Sequence, residues 1–206
     1  MPADTTAPSG TPQGFAADPR ERLPMPRPEA MNEAQAAAAR ALVEGPRKGV
    51  YGPFLPLLRS PELLERVGKV GEYLRFGSVL EARVRELTIC AVARHVGNQF
   101  EWQMHAPLAA KAGVAEATIE ALRVGAWPKA LPADEDIALD FTRELLATHG
   151  VSDPTYASAL AQFGEQGLVE LASLIGYFAM VSWLMNVART PAQAGAQAKP
   201  LEAFPA

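Results

Sequence analysis

Near the middle of the chain an acid and an imidazole lie one helical turn apart, in the segment NQFEWQMHAPLAAK that begins at Asn98. On a helix, Glu101 and His105 share one face with Asn98, and their side chains can touch. A carboxylate beside an imidazole fixes the ring tautomer and raises its basicity, which suits proton transfer near neutral pH. The alternative interpretation is an ordinary ion pair, because Glu–His pairs at this spacing also arise by chance.

A second set of ionisable residues lies in the apolar stretch just before. Arg83, Glu86 and Cys90 fall at spacings of three and four residues. Because a buried charge needs a partner, we expect this face to meet the face that carries Glu101 and His105. The result would be a small pocket with two carboxylates, one imidazole and one guanidinium. Cys90, on so apolar a helix, is more typical of a small core residue than of a nucleophile.

The acids and the histidine also allow a different interpretation. One imidazole and two carboxylates form a recognised metal-ligand set, so Glu86, Glu101 and His105 could bind a metal ion. Our prediction is that the site contains no metal.

The elements that must position these residues are helices. Gly and Pro separate segments with apolar and charged residues at helical spacing, and strand signals are almost absent. The helix over 79–96 has apolar residues on nearly every side, so it should be central. We predict helices at about 29–44, from Pro61 with Ser60 as its cap, at 79–96, at 98–112 with Gly113 as a left-handed cap, at 116–124, and from near 134, 153 and 165.

The 206 residues are enough for a single domain with one substantial core. Residues 1–28 are rich in Pro, Thr, Gly and Ala, which predicts an extended or disordered N-terminal arm. The helical domain should cover 29–190. Pro191 ends the last helix, so residues 191–206 are predicted to form a C-terminal tail.

The composition indicates which partners the protein has and in which cellular compartment it lies. A net charge of -4 and a pI near 5.5 give no basic field for a nucleic acid. The single cysteine and the lack of a secretory signal favour a cytoplasmic protein. The apolar stretch 167–188 contains Glu170 and Asn186 and has no basic residue on its early side. It therefore predicts a core or subunit-interface helix instead of a membrane span.

These residues resemble the signature segment of the carboxymuconolactone decarboxylase family, which includes alkyl hydroperoxidase D. The resemblance is carried by Arg83, Arg85 and Glu86 in RVRELTICAVAR, by EWQMHAPLAAKAG after them, and by the acidic helix that ends at Gly125. It implies an all-α fold, the alkyl hydroperoxidase D-like orthogonal helical array. It also implies a homo-oligomer, either a trimer or a hexamer.

The redox branch of this family uses a glutamate, a C-x-x-C pair and a histidine one turn later. Glu86 and His105 match the glutamate and the histidine, but Asn98 and Glu101 stand at the two cysteine positions. The attacking and resolving thiols are therefore absent, which removes a dithiol peroxidase mechanism at this site. Cys90 alone cannot replace the pair.

What remains resembles the decarboxylase branch, which needs no organic or metal cofactor and acts in the breakdown of aromatic compounds. It implies a lyase for a small unsaturated lactone or carboxylic acid. Loss of CO2 leaves an enolate-type anion that must be stabilised and protonated. As catalytic residues, His105 held by Glu101 would donate the proton, and Glu86 would orient or reprotonate the acid.

The resemblance also leads to hypotheses for substrate binding. Arg83 would hold an anionic group, and Asn98 would donate a hydrogen bond to the enolate oxygen. Trp102 would be a platform for the substrate, unless it is only a packing anchor. Two other functions stay open: a peroxidase-related redox protein, and a non-catalytic helical scaffold that binds a ligand.

Overall fold

Eight α-helices make up most of residues 20–45, 47–192 and 198–203, which are the residues that the computed structural model describes. A 3-10 turn over Pro28–Ala30 precedes them, and a π-helical turn over Tyr73–Gly77 follows the third helix. These residues contain no strand, so the all-α prediction is confirmed. The helices are α1 (Glu33–Glu44), α2 (Phe54–Leu57), α3 (Pro61–Glu72), α4 (Ala82–His95), α5 (Gln99–Lys111), α6 (Glu116–Arg123), α7 (Ala133–Thr148) and α8 (Asp153–Ala188).

The helix starts follow local capping chemistry. α1 begins four residues later than predicted because Asn32 and Gln35 form a capping box: each side chain accepts a hydrogen bond from the other residue's backbone N–H, at 2.9 and 3.0 Å. α3 begins at Pro61 as predicted, but the capping role of Ser60 is wrong. The amide of Ser60 closes the preceding turn onto Leu57, and its side chain caps nothing.

α4 is the central helix, as its apolar pattern predicts. It packs against α5, α6, α7 and α8. Val84, Ile89 and Val92 face the larger hydrophobic cluster, together with α3, α7 and α8. Leu87 and Cys90 face the smaller cluster on the other side, with α5 and α6. Both faces of α4 are therefore buried, and its polar residues must find partners inside the protein.

α8 combines the two helices predicted near 153 and 165, with a break at Gly164, whose φ of 69° and ψ of 177° are not helical. The apolar second part buries Leu174 and Phe178 in the core. By length and composition α8 could cross a membrane, since its most apolar window has a mean hydropathy of 1.7. Half of that window is buried inside the protein, as in core helices of globular domains.

The predicted terminal segments are described only in part. Residues 1–19 of the predicted arm and residues 193–197 and 204–206 of the predicted tail lie outside the described residues. Over 198–203 the chain packs on the helical domain. Leu201 is buried in the smaller cluster, and the side chain of Gln99 both donates to its carbonyl and accepts from its amide, at 3.0 and 2.9 Å.

Candidate proton-transfer site

The turn between α4 and α5 sets the position of the candidate site. Gly97 adopts a left-handed φ of 64°, which lets the chain reverse directly after α4. Asn98 then caps α5, because its Oδ1 accepts a hydrogen bond from the amide of Glu101 at 2.9 Å. Its side-chain amide donates to the carbonyl of Ser182 and to Oδ1 of Asn186, at 3.2 and 3.0 Å. Asn98 therefore fixes the start of α5 against both α4 and α8.

The structure brings Glu86, Glu101 and His105 together. Nδ1 of the histidine ring lies 2.6 Å from Oε2 of Glu86, and Nε2 lies 3.3 Å from Oε2 of Glu101. All three residues are buried, with exposed fractions of 9% for Glu86, 4% for Glu101 and 2% for His105. The edge of the Phe178 ring packs on the imidazole, with 5.1 Å between the ring centroids. The ring is thus fixed in orientation, with a carboxylate at each nitrogen.

This arrangement favours the protonated imidazole. Burial alone lowers the pKa of His105, but the hydrogen bonds and charges of Glu101 and Glu86 outweigh it and hold the pKa above the ordinary value of 6.5. An ionised carboxylate only accepts hydrogen bonds, and only the imidazolium can donate from both ring nitrogens. A protonated His105 would donate one hydrogen bond to each carboxylate, which is the arrangement that the geometry suits.

Glu101 and His105 line a cavity of about 400 Å³, a size that suits a small organic molecule. Glu86 lies behind the imidazole and is not among the lining residues. Much of the wall is aromatic and comes from the α1–α2 loop, the π-helical turn, and α2, α5 and α8. Its aromatic residues are Tyr51, Phe54, Phe76, Phe100, Tyr177 and Phe178.

Several polar residues of the wall were not predicted from the sequence, and three of them come from distant parts of the chain. Arg47 comes from the loop after α1, Arg75 from the π-helical turn, and Tyr177 from α8. π-helical turns are frequent at functional sites, but the sequence shows no sign of this one. Burial and then the charge of Glu101 raise the pKa of Tyr177 to about 12, against the opposite effect of the two arginines. Its hydroxyl therefore stays protonated and can donate a hydrogen bond.

The structure places the three predicted substrate-binding residues elsewhere. Arg83 pairs with Asp134, at 2.6 Å, and with Glu135, so it ties α4 to the start of α7. Trp102 is 1% exposed, and its indole N–H donates to the carbonyl of Lys199 at 2.8 Å, as expected for a packing anchor. Like Asn98, neither residue lines the cavity.

The geometry also bears on a reactive cysteine and on a metal site. Cys90 is fully buried, and burial followed by the charge of Glu86 raises the pKa of its thiol well above the ordinary value. A thiolate is therefore disfavoured at this position. Within residues 20–45, 47–192 and 198–203, no group of three His, Cys, Asp or Glu side chains is arranged to hold a metal ion.

Comparison with known proteins agrees with this architecture. Residues 61–144, from α3 into α7, match the model of the carboxymuconolactone decarboxylase family, and this segment contains Glu86, Glu101 and His105. The resemblance noted in the sequence is thereby confirmed. A search of curated proteins finds no match to the chain.

Two solved structures share the fold. One is the alkylhydroperoxidase AhpD core of an uncharacterized peroxidase-related protein from Ralstonia eutropha, with a TM-score of 0.68 and 15% identity over 86% of this chain and 95% of the other. The second is an uncharacterized peroxidase-related protein from Silicibacter sp., with a TM-score of 0.65 and 17% identity over 84% of this chain and 91% of the other. The helical array is therefore alkyl hydroperoxidase D-like.

Proposed function

We propose that this chain is a cofactor-independent enzyme, similar to carboxymuconolactone decarboxylase, that transfers a proton to a small unsaturated lactone or carboxylic acid. The reaction that fits best is that of a lyase releasing CO2. One observation supports this proposal above the others. A buried imidazole with a carboxylate at each ring nitrogen borders a cavity of about 400 Å³.

The proposed reaction needs only groups of this chain and a proton from water. The C–C bond to the substrate carboxylate breaks and CO2 leaves, so the electron pair of that bond stays on the substrate as an enolate. His105 then donates the proton on Nε2 to the carbanion carbon, either directly or through Glu101. Glu86 holds Nδ1 and keeps the ring in place throughout. The imidazole regains a proton from water after the product has left.

Replacement of His105 by Gln tests the proposal. The glutamine side chain keeps much of the volume but cannot supply the proton, so CO2 release from small unsaturated lactone acids should fall by at least about 100-fold. The matched control is His95→Gln, at the exposed end of α4, which should keep the wild-type rate. A His105→Gln protein that is folded and fully active would refute the enzyme assignment to this site.

His105→Gln also tests the scaffold function, and Cys90→Ser tests the peroxidase-related function. A non-catalytic scaffold would bind its ligand equally well after His105→Gln and would show no turnover in either form. The names of the two structural neighbours favour a peroxidase-related protein. For this chain such chemistry would depend on Cys90, so thiol loss and peroxide consumption that both disappear in Cys90→Ser would support it.

We also propose that the chain acts in the cytoplasm as a homo-oligomer, a trimer or a hexamer. α8 has an exposed apolar stripe on one side, formed by Val169, Met180, Trp183 and Val187, with exposed fractions between 41 and 61%. Such a stripe is typical of a subunit interface. Light scattering tests this proposal, and a monomer at all concentrations would contradict it.

A further inference from the structure

Two arginines of the cavity wall form no ion pair with a carboxylate of the described residues. Arg83 and Arg123 each contact two carboxylates. In the part of the chain that the structure describes, no ion pair includes Arg47 or Arg75. Both arginines are only partly exposed, so each guanidinium needs hydrogen-bond acceptors or a counter-charge.

Both guanidinium groups lie against aromatic rings of the same wall. That of Arg47 lies 4.2 Å from the centroid of Phe54, and one of its nitrogens reaches the carbonyl of Gly68 at 3.4 Å. That of Arg75 lies 4.9 Å from the centroid of Phe76, and its Nε is buried with no hydrogen-bond partner. Stacking of this kind orients a guanidinium and leaves its N–H groups free for a ligand.

The two arginines and the acid–histidine group border one space. Arg47, Arg75, Glu101 and His105 all line the cavity. Tyr177 lies within range of both arginine charges and of Glu101, since each of them acts on its hydroxyl. Gly71 lets this tyrosine approach α3, because a Cβ there would stand 2.1 Å from the hydroxyl oxygen. The cavity thus has separate basic and acidic groups, with a neutral hydrogen-bond donor among them.

We propose that Arg47 and Arg75 together bind a carboxylate group of the substrate and so determine which end of it faces Glu101 and His105. Two planar guanidinium groups can bind a carboxylate through charge-assisted, bidentate hydrogen bonds. Phe54, the ring beside Arg47, is buried, and an apolar surface of this kind strengthens such bonds. Glu101 repels an anion, so the anionic end stays with the arginines. Only this orienting role rests on the proposed function, because the binding itself does not require turnover.

Glu72 is the acid that could compete for these arginines. It also lines the cavity but is exposed, and its carboxylate is not within ion-pair distance of either guanidinium. A carboxylate ligand would therefore pair with these guanidinium groups without displacing an acid of the protein.

Calorimetric titration with benzoate and with benzamide, its neutral analogue of the same shape, tests the anion site. The wild-type protein should bind benzoate and should bind benzamide at least about tenfold more weakly. Arg47→Gln and Arg75→Gln should each weaken benzoate binding about tenfold and leave benzamide binding unchanged. Arg75→Lys should recover part of the loss, because it keeps the charge. The matched control is Arg66→Gln, an exposed arginine that pairs with Glu62 away from the cavity.

Three results would overturn the proposal: no binding of benzoate, equal binding of both compounds, or the same preference for benzoate after either Arg→Gln change. Thermal unfolding confirms that each variant is folded. His105→Gln separates this proposal from the proposed function. If that variant keeps both turnover and the preference for benzoate, the proton-transfer role fails and the anion site survives. If turnover depends on His105 but neither arginine affects benzoate, only the anion site fails.

Discussion

At the scale of single residues, the main feature is a histidine whose two nitrogens both face carboxylates. The local part of this arrangement was predictable, since Glu101 and His105 are one helical turn apart and Glu86 lies on an amphipathic face that needs a partner. Arg47, Arg75 and Tyr177 were missed because packing brings them in from distant parts of the chain. Arg83 looked like the pocket guanidinium, but its acidic partners on α7 have no local relation to it in sequence.

Replacing Glu86 by Gln should change the pH dependence of the reaction. The carboxylate of Glu86 helps to raise the pKa of His105, so its removal should lower that pKa. A proton donor works in its protonated form, so activity falls as pH rises through the pKa. In Glu86→Gln, the decline on the basic side should therefore begin at lower pH. The pH profile of kcat checks this, with the exposed Glu116→Gln as the control.

If the basic side of the pH profile of kcat is the same in Glu86→Gln as in wild type, His105 is not the group whose proton limits the rate. A shift of that side to higher pH would contradict the electrostatic argument itself.

At the scale of elements, the connection between α3 and α4 depends on one acid of α8. The carboxylate of Glu170 accepts hydrogen bonds from the hydroxyls of Tyr73 and Ser78, the amide of Val79 and the side chain of Gln166, at 2.6 to 2.9 Å. These contacts fix both ends of the π-helical turn that carries Arg75. The turn has no local sequence signature, because it depends on an acid more than 90 residues away.

Glu170→Gln should destabilise the protein by about 1.5–3 kcal/mol, since hydrogen bonds to a charged acceptor are lost. Burial raises the pKa of Glu170, but the hydrogen bonds from Ser78, Tyr73 and Gln166 outweigh this effect. Together they lower the pKa to about 2. A depressed carboxyl pKa stabilises the fold above the unfolded value near 4.5, and this contribution is lost as pH falls towards 2. Chemical unfolding should therefore show that the free energies of unfolding of wild type and Glu170→Gln differ by a constant amount above about pH 5. This difference should shrink in acid.

The exposed neighbouring residue gives the control for this prediction, because Glu165→Gln should leave the free energy of unfolding nearly unchanged. A Glu170→Gln protein as stable as wild type at neutral pH would show that the carboxylate does not secure the turn.

At the scale of the whole molecule, the all-α class, the central helix and most helix positions were predictable from periodicity and from Gly and Pro. Most helix ends agree to within a few residues, and the exceptions have local causes, such as the capping box at Asn32. The docking of residues 198–203 was not predictable. Leu201 and Lys199 contact α5 through main-chain groups, which every residue type carries.

The proposed chemistry depends above all on a buried, protonated imidazole at the border of the cavity. Nitrogen NMR of the 206-residue chain, which has three histidines, measures the protonation of His105 directly in a pH titration. We predict that both ring nitrogens are protonated at neutral pH and that the pKa lies above 6.5. A neutral ring at pH 7, with a pKa at or below 6.5, would contradict the proton-donor role of His105.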